Sequence, residues 1–305
     1  MISDREWNGA LAGWPIGGAL AVARGGPTAP RMALGAQLRR LREASHVTSR
    51  EAAEAIRATP SKLSRLERGR CGVKQRDVAD LLTLYAVTDE AEREALLALA
   101  RQANEPGWWR QYHDVLPRWS ELYVGLEDAA SGIRAYDAQF VHVLMQTEDY
   151  ARAVILPPGT RVPPEEIDRR INLRIKRQQL LTRPGAPEMW AVLDETALRR
   201  SPGGPRVMRA QLEHLLQLTS LPNVTLQIMP FSAGPPAAVG GPFTILRFPE
   251  PNLPDLVYLE QLSSALYLDQ PDDVADYLAV MDQLCVQAET SAASQDMLRA
   301  FLRQA

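Results

Sequence analysis

Residues 59–69 read TPSKLSRLERG and predict a short helix with a marked start and a marked end. Thr59 can accept hydrogen bonds from the free amides of a helix start, and Pro60 fits the first helical position. Gly69 can adopt the left-handed conformation that ends a helix. The stretch therefore predicts one bounded helix of about two turns.

This predicted helix has two different faces. Leu63 and Leu66 are spaced to face a core, whereas Ser61, Lys62 and Arg65 share the opposite side. A face made of cations and a hydroxyl suits a polyanion.

Apolar residues at helical spacing predict four more helices around this one. The first ends near Ala44, and the second begins at a cap formed by Thr48 or Ser49. The fourth and fifth cover residues 73–87 and 88–103. Two short helices joined by a tight turn, the second cationic on one side, are typical of a helix-turn-helix DNA-binding unit.

The charge of the chain is divided unevenly. Residues 31–76 contain twelve basic and four acidic residues, a net charge of +8, although the whole chain carries −3. The remainder therefore carries −11. A cationic unit on an anionic body is the electrostatic pattern expected of a nucleic-acid binder.

The stretch VTSREAAEAIRATPSKLSRLERG resembles the signature of the XRE (Cro/repressor-like) family. The resemblance covers the first four helices and implies roles for seven residues. Two would read base edges, three would contact phosphates, and two would form an ion pair between the first and third helices. Ser61 and Arg65 are the residues that would read base edges. Ser49, Lys62 and Arg68 would contact phosphates, and Arg42 and Glu67 would form the ion pair. The sequence departs from the family at Arg57, where glycine is usual, and a left-handed arginine there costs about 1 kcal/mol.

Residues 104–305 predict a second unit of α/β (α+β) class, with a four- or five-stranded sheet covered by helices. The strand-like runs are MWAVLD, VTLQIMP, PFTILRF and DLVYLEQL. The stretch ELYVGLEDAASGIRAYD is predicted to be helical throughout.

The basic helix that contains Arg169, Arg174 and Arg177 is interpreted as a solvated face, with an anion pocket or DNA contact as the alternatives. Trp108 and Trp109 are predicted to pack the two units together, with base stacking as the alternative.

Six segments of the second unit resemble, in order, a domain of unknown function that follows an XRE unit in many actinobacterial regulators. These segments are LMQTEDYARAV, KRQQLL, LDETALRR, LQIMPFSAG, GPFTILRF and VYLEQL. The resemblance implies regulation, often of development or secondary metabolism, and commonly a small acidic protein encoded nearby. It names no effector molecule.

The remaining composition narrows the function classes. Two cysteines far apart favour neither a disulfide framework nor a zinc site, so a reducing cytoplasm is expected. The four histidines have no metal-ligand spacing, and no GxSxG or GxxxxGK[ST] motif occurs, so neither an enzyme nor a cofactor is expected. Residues 1–31 are expected to be a flexible leader without signal-peptide character, and Met32 is an alternative start.

Together these patterns predict three parts: a leader (1–31), a DNA-binding unit (32–103) and a regulatory, effector-binding or dimerisation unit (104–305). The predicted function is a cytoplasmic, sequence-specific transcriptional regulator that binds double-stranded DNA as a homodimer. An antitoxin-like regulator controlled by a small neighbouring protein is one alternative. An enzyme with a DNA-binding appendage is an alternative of another class.

Overall fold

The computed structural model of the protein describes residues 26–156, 162–249 and 253–304. The N-terminal unit contains the five predicted helices. They are α1 (Thr28–Ala44), α2 (Ser49–Ala55), α3 (Pro60–Glu67), α4 (Gln75–Leu84) and α5 (Glu90–Gln102). Their apolar faces meet in one core of buried leucines, valines and alanines, with Leu38, Leu63 and Leu81 fully buried. The helical spacing of those residues is the reason that the five helices close around one another.

The second unit is built on a mixed sheet, which has six strands in the described residues. Strands β1 (Gly132–Asp137), β2 (Glu188–Asp194) and β3 (Val224–Met229) are parallel, with β1 in register so that Gly132 lies opposite Glu188. Strands β4 (Phe243–Arg247), β5 (Leu256–Glu260) and β6 (Ala265–Leu268) form an antiparallel meander beside β1. The order across the sheet is β3-β2-β1-β4-β5-β6.

Helices cover both faces of this sheet. They are α6 (Arg118–Ala129), α7 (Glu148–Ile155), α8 (Pro164–Gln178), α9 (Glu195–Arg199), α10 (Pro205–Leu218), α11 (Pro271–Gln287) and α12 (Ser291–Gln304). Short 3-10 turns lie at Trp108–Tyr112, Val143–Met145, Gln179–Leu181 and Phe231–Ala233. One face packs against α6, α10 and α12, and Met281 and Leu284 of α11 pack against the other. The α/β class is therefore confirmed, and the sheet has more strands than predicted.

Strand β1 corrects the prediction that residues 121–137 are helical throughout. The helix ends at Ala129, and Gly132–Asp137 pairs with β2 on one side and β4 on the other. Ile133 and Ala135 are fully buried in that central position. The pairing on both edges stabilises the strand, and neither partner strand is near it in the sequence. Strand β6 was missed because it is a short edge strand of four residues, all partly or fully exposed.

Helix α1 begins at Thr28, earlier than the predicted domain start at residue 32. Thr28 and Ala29 are buried, and Ala29 and Met32 belong to the core of the second unit. Residues 28–31 are thus helical, whereas the predicted leader up to residue 25 lies outside the described residues. The same contacts mean that α1 has one end in each unit, which holds the two units against each other.

Candidate nucleic-acid interface

Local interactions define the ends of α3, the predicted recognition helix. Thr59 Oγ1 accepts a hydrogen bond from the Lys62 amide at 3.2 Å, and Pro60 occupies the first helical position. Gly69 has a φ of +65° immediately after the helix, the left-handed conformation that ends it. These ends leave a helix of eight residues, Pro60–Glu67.

Helix α2 approaches α3 through a turn that contains a left-handed residue. Thr48 caps α2 in a capping box with Glu51, so Ser49 is the first helical residue and lies exposed. Arg57 has a φ of +52°, which is the strained conformation expected where the XRE signature has glycine. The two helices are therefore joined as in a helix-turn-helix.

The predicted division of α3 into two faces is present in the structure. Leu63 and Leu66 are buried in the helical core, with exposed fractions of 0% and 3%. Ser61 and Arg65 are exposed, and no hydrogen bond or ion pair involves their side chains within the described residues. An arginine and a hydroxyl one turn apart, both without internal partners, are available to base edges in a DNA groove.

The residues with predicted phosphate roles lie on α2, on α3 and directly after α3. Lys62 is half-buried, and Arg68 is exposed just beyond the end of α3, where it donates to Ser64 Oγ. Lys62 is next to Ser61 on α3, whereas Ser49 lies at the start of α2 and Arg68 directly after the end of α3. Their DNA contacts stay predictions.

Arg42 and Glu67, the predicted ion pair, lie in contact between α1 and the last residue of α3. Arg42 Nε donates to Glu67 Oε1 at 2.6 Å, and Arg42 Nη2 donates to Glu67 Oε2 at 3.1 Å. The two side chains are only 11% and 7% exposed. The hydrogen bond to Glu67 is the largest cause of a raised pKa at Arg42, which keeps the guanidinium charged. This pair fixes the angle between α3 and α1.

Not all of the +8 segment is available to a polyanion. Arg31 donates to the Ala103 carbonyl oxygen at 2.8 Å, and Arg70 pairs with Asp269 of the second unit at 2.9 Å. The Arg70–Asp269 contact joins residues 199 positions apart, so no local pattern predicted it. The exposed cations of this segment that have no ion pair in the described residues are Arg40, Arg57, Arg65, Arg68 and Lys74, and the half-buried Lys62 has none either. The available charge therefore lies on α3 and directly after it, and also on Arg40 of α1.

Comparison with known families covers both units. Residues 33–96 match a family described as a helix-turn-helix domain. Residues 120–300, more than half of the chain, match the domain of unknown function DUF5753. The chain belongs to the DUF5753 family. The helix-turn-helix match supports a role in DNA-binding regulation. Neither a curated protein nor a solved structure matches the chain.

The interpretation of the basic helix α8 as a solvated face is wrong for Arg174 and Arg177, whereas Arg169 does lie on the surface. Arg177 donates twice to Glu127 of α6, at 2.8 Å each, and these side chains are only 12% and 2% exposed. Burial is the largest single effect and acts to lower the pKa of Arg177, but the Coulombic attraction and the hydrogen bonds of Glu127, with contributions from Tyr123 and Glu260, together raise it. Burial lowers the pKa of Arg174 to about 10. Arg169 stays on the surface and pairs with Asp114 at 2.6 Å.

The tryptophan pair Trp108 and Trp109 lies where α1 meets the DUF5753 region. Trp109 is 5% exposed and fills the space beside Gly26 and Gly125, where added Cβ atoms would collide with its ring. Trp108 Nε1 donates to Asp128 Oδ1 at 3.3 Å. The packing interpretation is confirmed for Trp109, which is buried beside Gly26 and Gly125, whereas the contact of Trp108 with Asp128 lies within the second unit.

Within residues 26–156, 162–249 and 253–304, no helix is long and apolar enough to cross a membrane. The same residues contain no group of three or more histidine, cysteine, aspartate or glutamate side chains that could hold a metal ion.

Proposed function

We propose that this protein is a sequence-specific transcriptional regulator of the XRE type that binds double-stranded DNA in the cytoplasm. The exposed side of α3 carries the proposal. Ser61 and Arg65 project from it, and their side chains have no partner among the residues that the structure describes. The capped ends and the Arg42–Glu67 pair hold the helix in place. The Arg65 guanidinium suits the O6 and N7 acceptors of guanine, the commonest specific contact in the major groove.

The regulator is proposed to act as a homodimer. A recognition helix of eight residues reads few base pairs, so one copy gives little specificity. Two copies would place their α3 helices about 34 Å apart, one turn of DNA. Because the exposed side of α3 must stay free for DNA and one end of α1 packs in the core of the second unit, we assign dimerisation to residues 104–305.

The second unit is proposed to receive the regulatory signal, in the control of development or secondary metabolism as in the actinobacterial regulators that the sequence resembles. A small acidic protein or a small molecule would be that signal. We assign this unit no catalytic activity. Turnover of a candidate metabolite by the full chain would contradict that assignment.

The decisive experiment separates base reading from phosphate contact. An operator is selected from random duplex DNA by the full chain, and every single-base variant is then measured by fluorescence anisotropy. Arg65→Ala should lose about 1 to 3 kcal/mol of discrimination at one base position of each half-site. Lys62→Ala should weaken all variants about equally.

Arg101→Ala is the matched control, because this exposed arginine of α5 pairs with Glu94 and lies away from α3. It should leave both the affinity and the base preference unchanged. If Arg65→Ala weakens every variant uniformly, Arg65 contacts phosphate and the proposed base contact is wrong. If the selection yields no enriched sequence, sequence-specific recognition itself is refuted.

A further inference from the structure

A cleft of about 670 Å³ lies between the helix-turn-helix unit and the DUF5753 region. Its walls come from α1 and the end of α3 on one side and from α6, β5 and the Asp269 loop on the other. Small-molecule sites usually have volumes of roughly 300 to 1,000 Å³ and often lie between domains. The cleft therefore has the size and the position of a ligand site.

The charges on the helix-turn-helix side leave a surplus of cations. Three carboxylates line the cleft, and each already pairs with an arginine that also lines it. These pairs are Arg39–Glu43 at 2.9 Å, Arg42–Glu67 at 2.6 Å and Arg70–Asp269 at 2.9 Å.

Two further arginines, Arg40 and Arg68, also line the cleft, and no ion pair within the described residues involves either of them. Both are exposed. Their charges would attract an anion to this wall, because no carboxylate on it remains unpaired to repel one.

The wall from the second unit is apolar except at Asp269, which is paired with Arg70, and at Gln270. Leu122 and Leu126 of α6 line it together with Leu253 and Leu256. Leu126 and Leu256 belong to the core behind the wall, whereas Leu122 and Leu253 are only partly buried. A ligand between the walls would therefore meet guanidinium groups on one side and aliphatic carbon on the other.

The cationic wall overlaps the predicted DNA interface. Ser49 and Arg68, two of the three residues with predicted phosphate contacts, both line the cleft. An anion bound to Arg68 would occupy the charge that the DNA backbone needs. Ligand and operator would therefore compete, and the competition is reciprocal by linkage.

We propose that this cleft binds a small amphiphilic anion, a carboxylate or phosphate monoester on an aliphatic body, and that its binding weakens operator binding. Arg40 and Arg68 hold the anionic group, and Leu122 and Leu253 contact the aliphatic body. Only the effect on the operator rests on the proposed function. The cleft and its ligand class stand on the residues that line it.

The ligand site is tested by calorimetric titration of the full chain with octanoate and octyl phosphate as probes. Octan-1-ol and acetate supply the aliphatic body and the anion separately. At least one amphiphilic probe should bind once per chain, at least ten-fold more tightly than octan-1-ol or acetate, and the tighter probe identifies the head group. Failure of both probes to bind, or equal binding of octan-1-ol, would overturn the proposal.

Variants place the probe in the cleft. Arg40→Gln should weaken it at least five-fold, whereas Arg101→Gln, which removes the same charge from α5, should not change it. Leu253→Ser should weaken the amphiphilic probe and leave acetate unaffected. Circular dichroism melting of each variant checks that it is folded. An unchanged affinity in both folded cleft variants would place the probe elsewhere and refute the assignment.

The coupling to DNA is measured separately, by operator titration at rising probe concentration. The apparent Kd for operator should rise in the parent and in Arg101→Gln, and much less in Arg40→Gln. An operator affinity unchanged at saturating probe would overturn the proposed competition. If the chain selects no DNA sequence, the proposed function fails, whereas the probe titration still decides whether the cleft is a site.

Discussion

Loss of the Glu67 carboxylate should destabilise the helix-turn-helix unit far more than loss of a surface carboxylate. Glu67 and Arg42 share two hydrogen bonds, at 2.6 Å and 3.1 Å, and both side chains are nearly inaccessible to water. One-sided truncation of such a buried pair costs about 3 to 5 kcal/mol, because the remaining charge stays buried without its partner.

The surroundings of each partner decide where in that range a variant falls. In Glu67→Ala, Arg42 keeps its bond to the Val47 carbonyl oxygen at 3.2 Å and its contact with Glu43 at 3.5 Å. In Arg42→Ala, the Glu67 carboxylate keeps no hydrogen-bond partner among the described residues. We therefore expect a cost of about 3 kcal/mol for Glu67→Ala and a cost nearer 5 kcal/mol for Arg42→Ala.

Hydrogen exchange of the full chain measures this cost locally, at the amides of α1 and α3. A loss of 3 kcal/mol corresponds to roughly a 150-fold fall in protection, since 1.36 kcal/mol is one factor of ten. Glu54→Ala is the control. It breaks the Arg50–Glu54 pair, whose side chains are 83% and 65% exposed, and should cost less than about 0.5 kcal/mol. Equal protection in Glu67→Ala and Glu54→Ala would refute the buried-pair reasoning.

Three further outcomes are expected. If Lys62 and Arg68 contact phosphates in each half of a dimer, log affinity for operator should fall by about 3 to 4 per unit of log salt. Lys62→Ala should then reduce that slope by about two. A salt-independent affinity would contradict both roles. Ala86→Gly should raise the free energy of unfolding by up to about 1 kcal/mol, because Ala86 has a φ of +55°, a conformation that glycine adopts without strain. Ala95→Gly inside α5 should instead lower the free energy of unfolding by about 1 kcal/mol. Urea titration distinguishes these two signs. A fragment of residues 26–105 should keep its helices by circular dichroism, melt below the full chain and bind operator at least ten-fold more weakly. The reason is that α1 loses its contacts with the second unit. Equal melting and equal affinity would show that the unit is independent.

The sequence by itself determined the helix-turn-helix, because its signals are local. The Thr59 cap, the Gly69 stop and the inward spacing of Leu63 and Leu66 each act within a few residues of chain. Even the departure at Arg57 was predictable, since the turn between α2 and α3 requires a positive φ whichever residue occupies it.

The second unit was predictable in class and less so in detail. Strands with long apolar runs, such as β2 and β3, were found from their composition alone. Strand β1 was missed because its extended conformation depends on pairing with β2 and β4, which come far later in the sequence. A short run that follows directly on a helix carries little signal of its own.

Only the tertiary structure decided which charges are available to a ligand. The sequence placed Arg65 on the outer face of α3, but it indicated no partner for Arg70 or Arg177. In the fold, Arg177 is buried against Glu127, Arg70 joins the two units through Asp269, and Arg65 stays exposed on α3. The physical reason is that the free energy of a charge depends on its burial and on its neighbours within a few ångströms, and chain folding sets both.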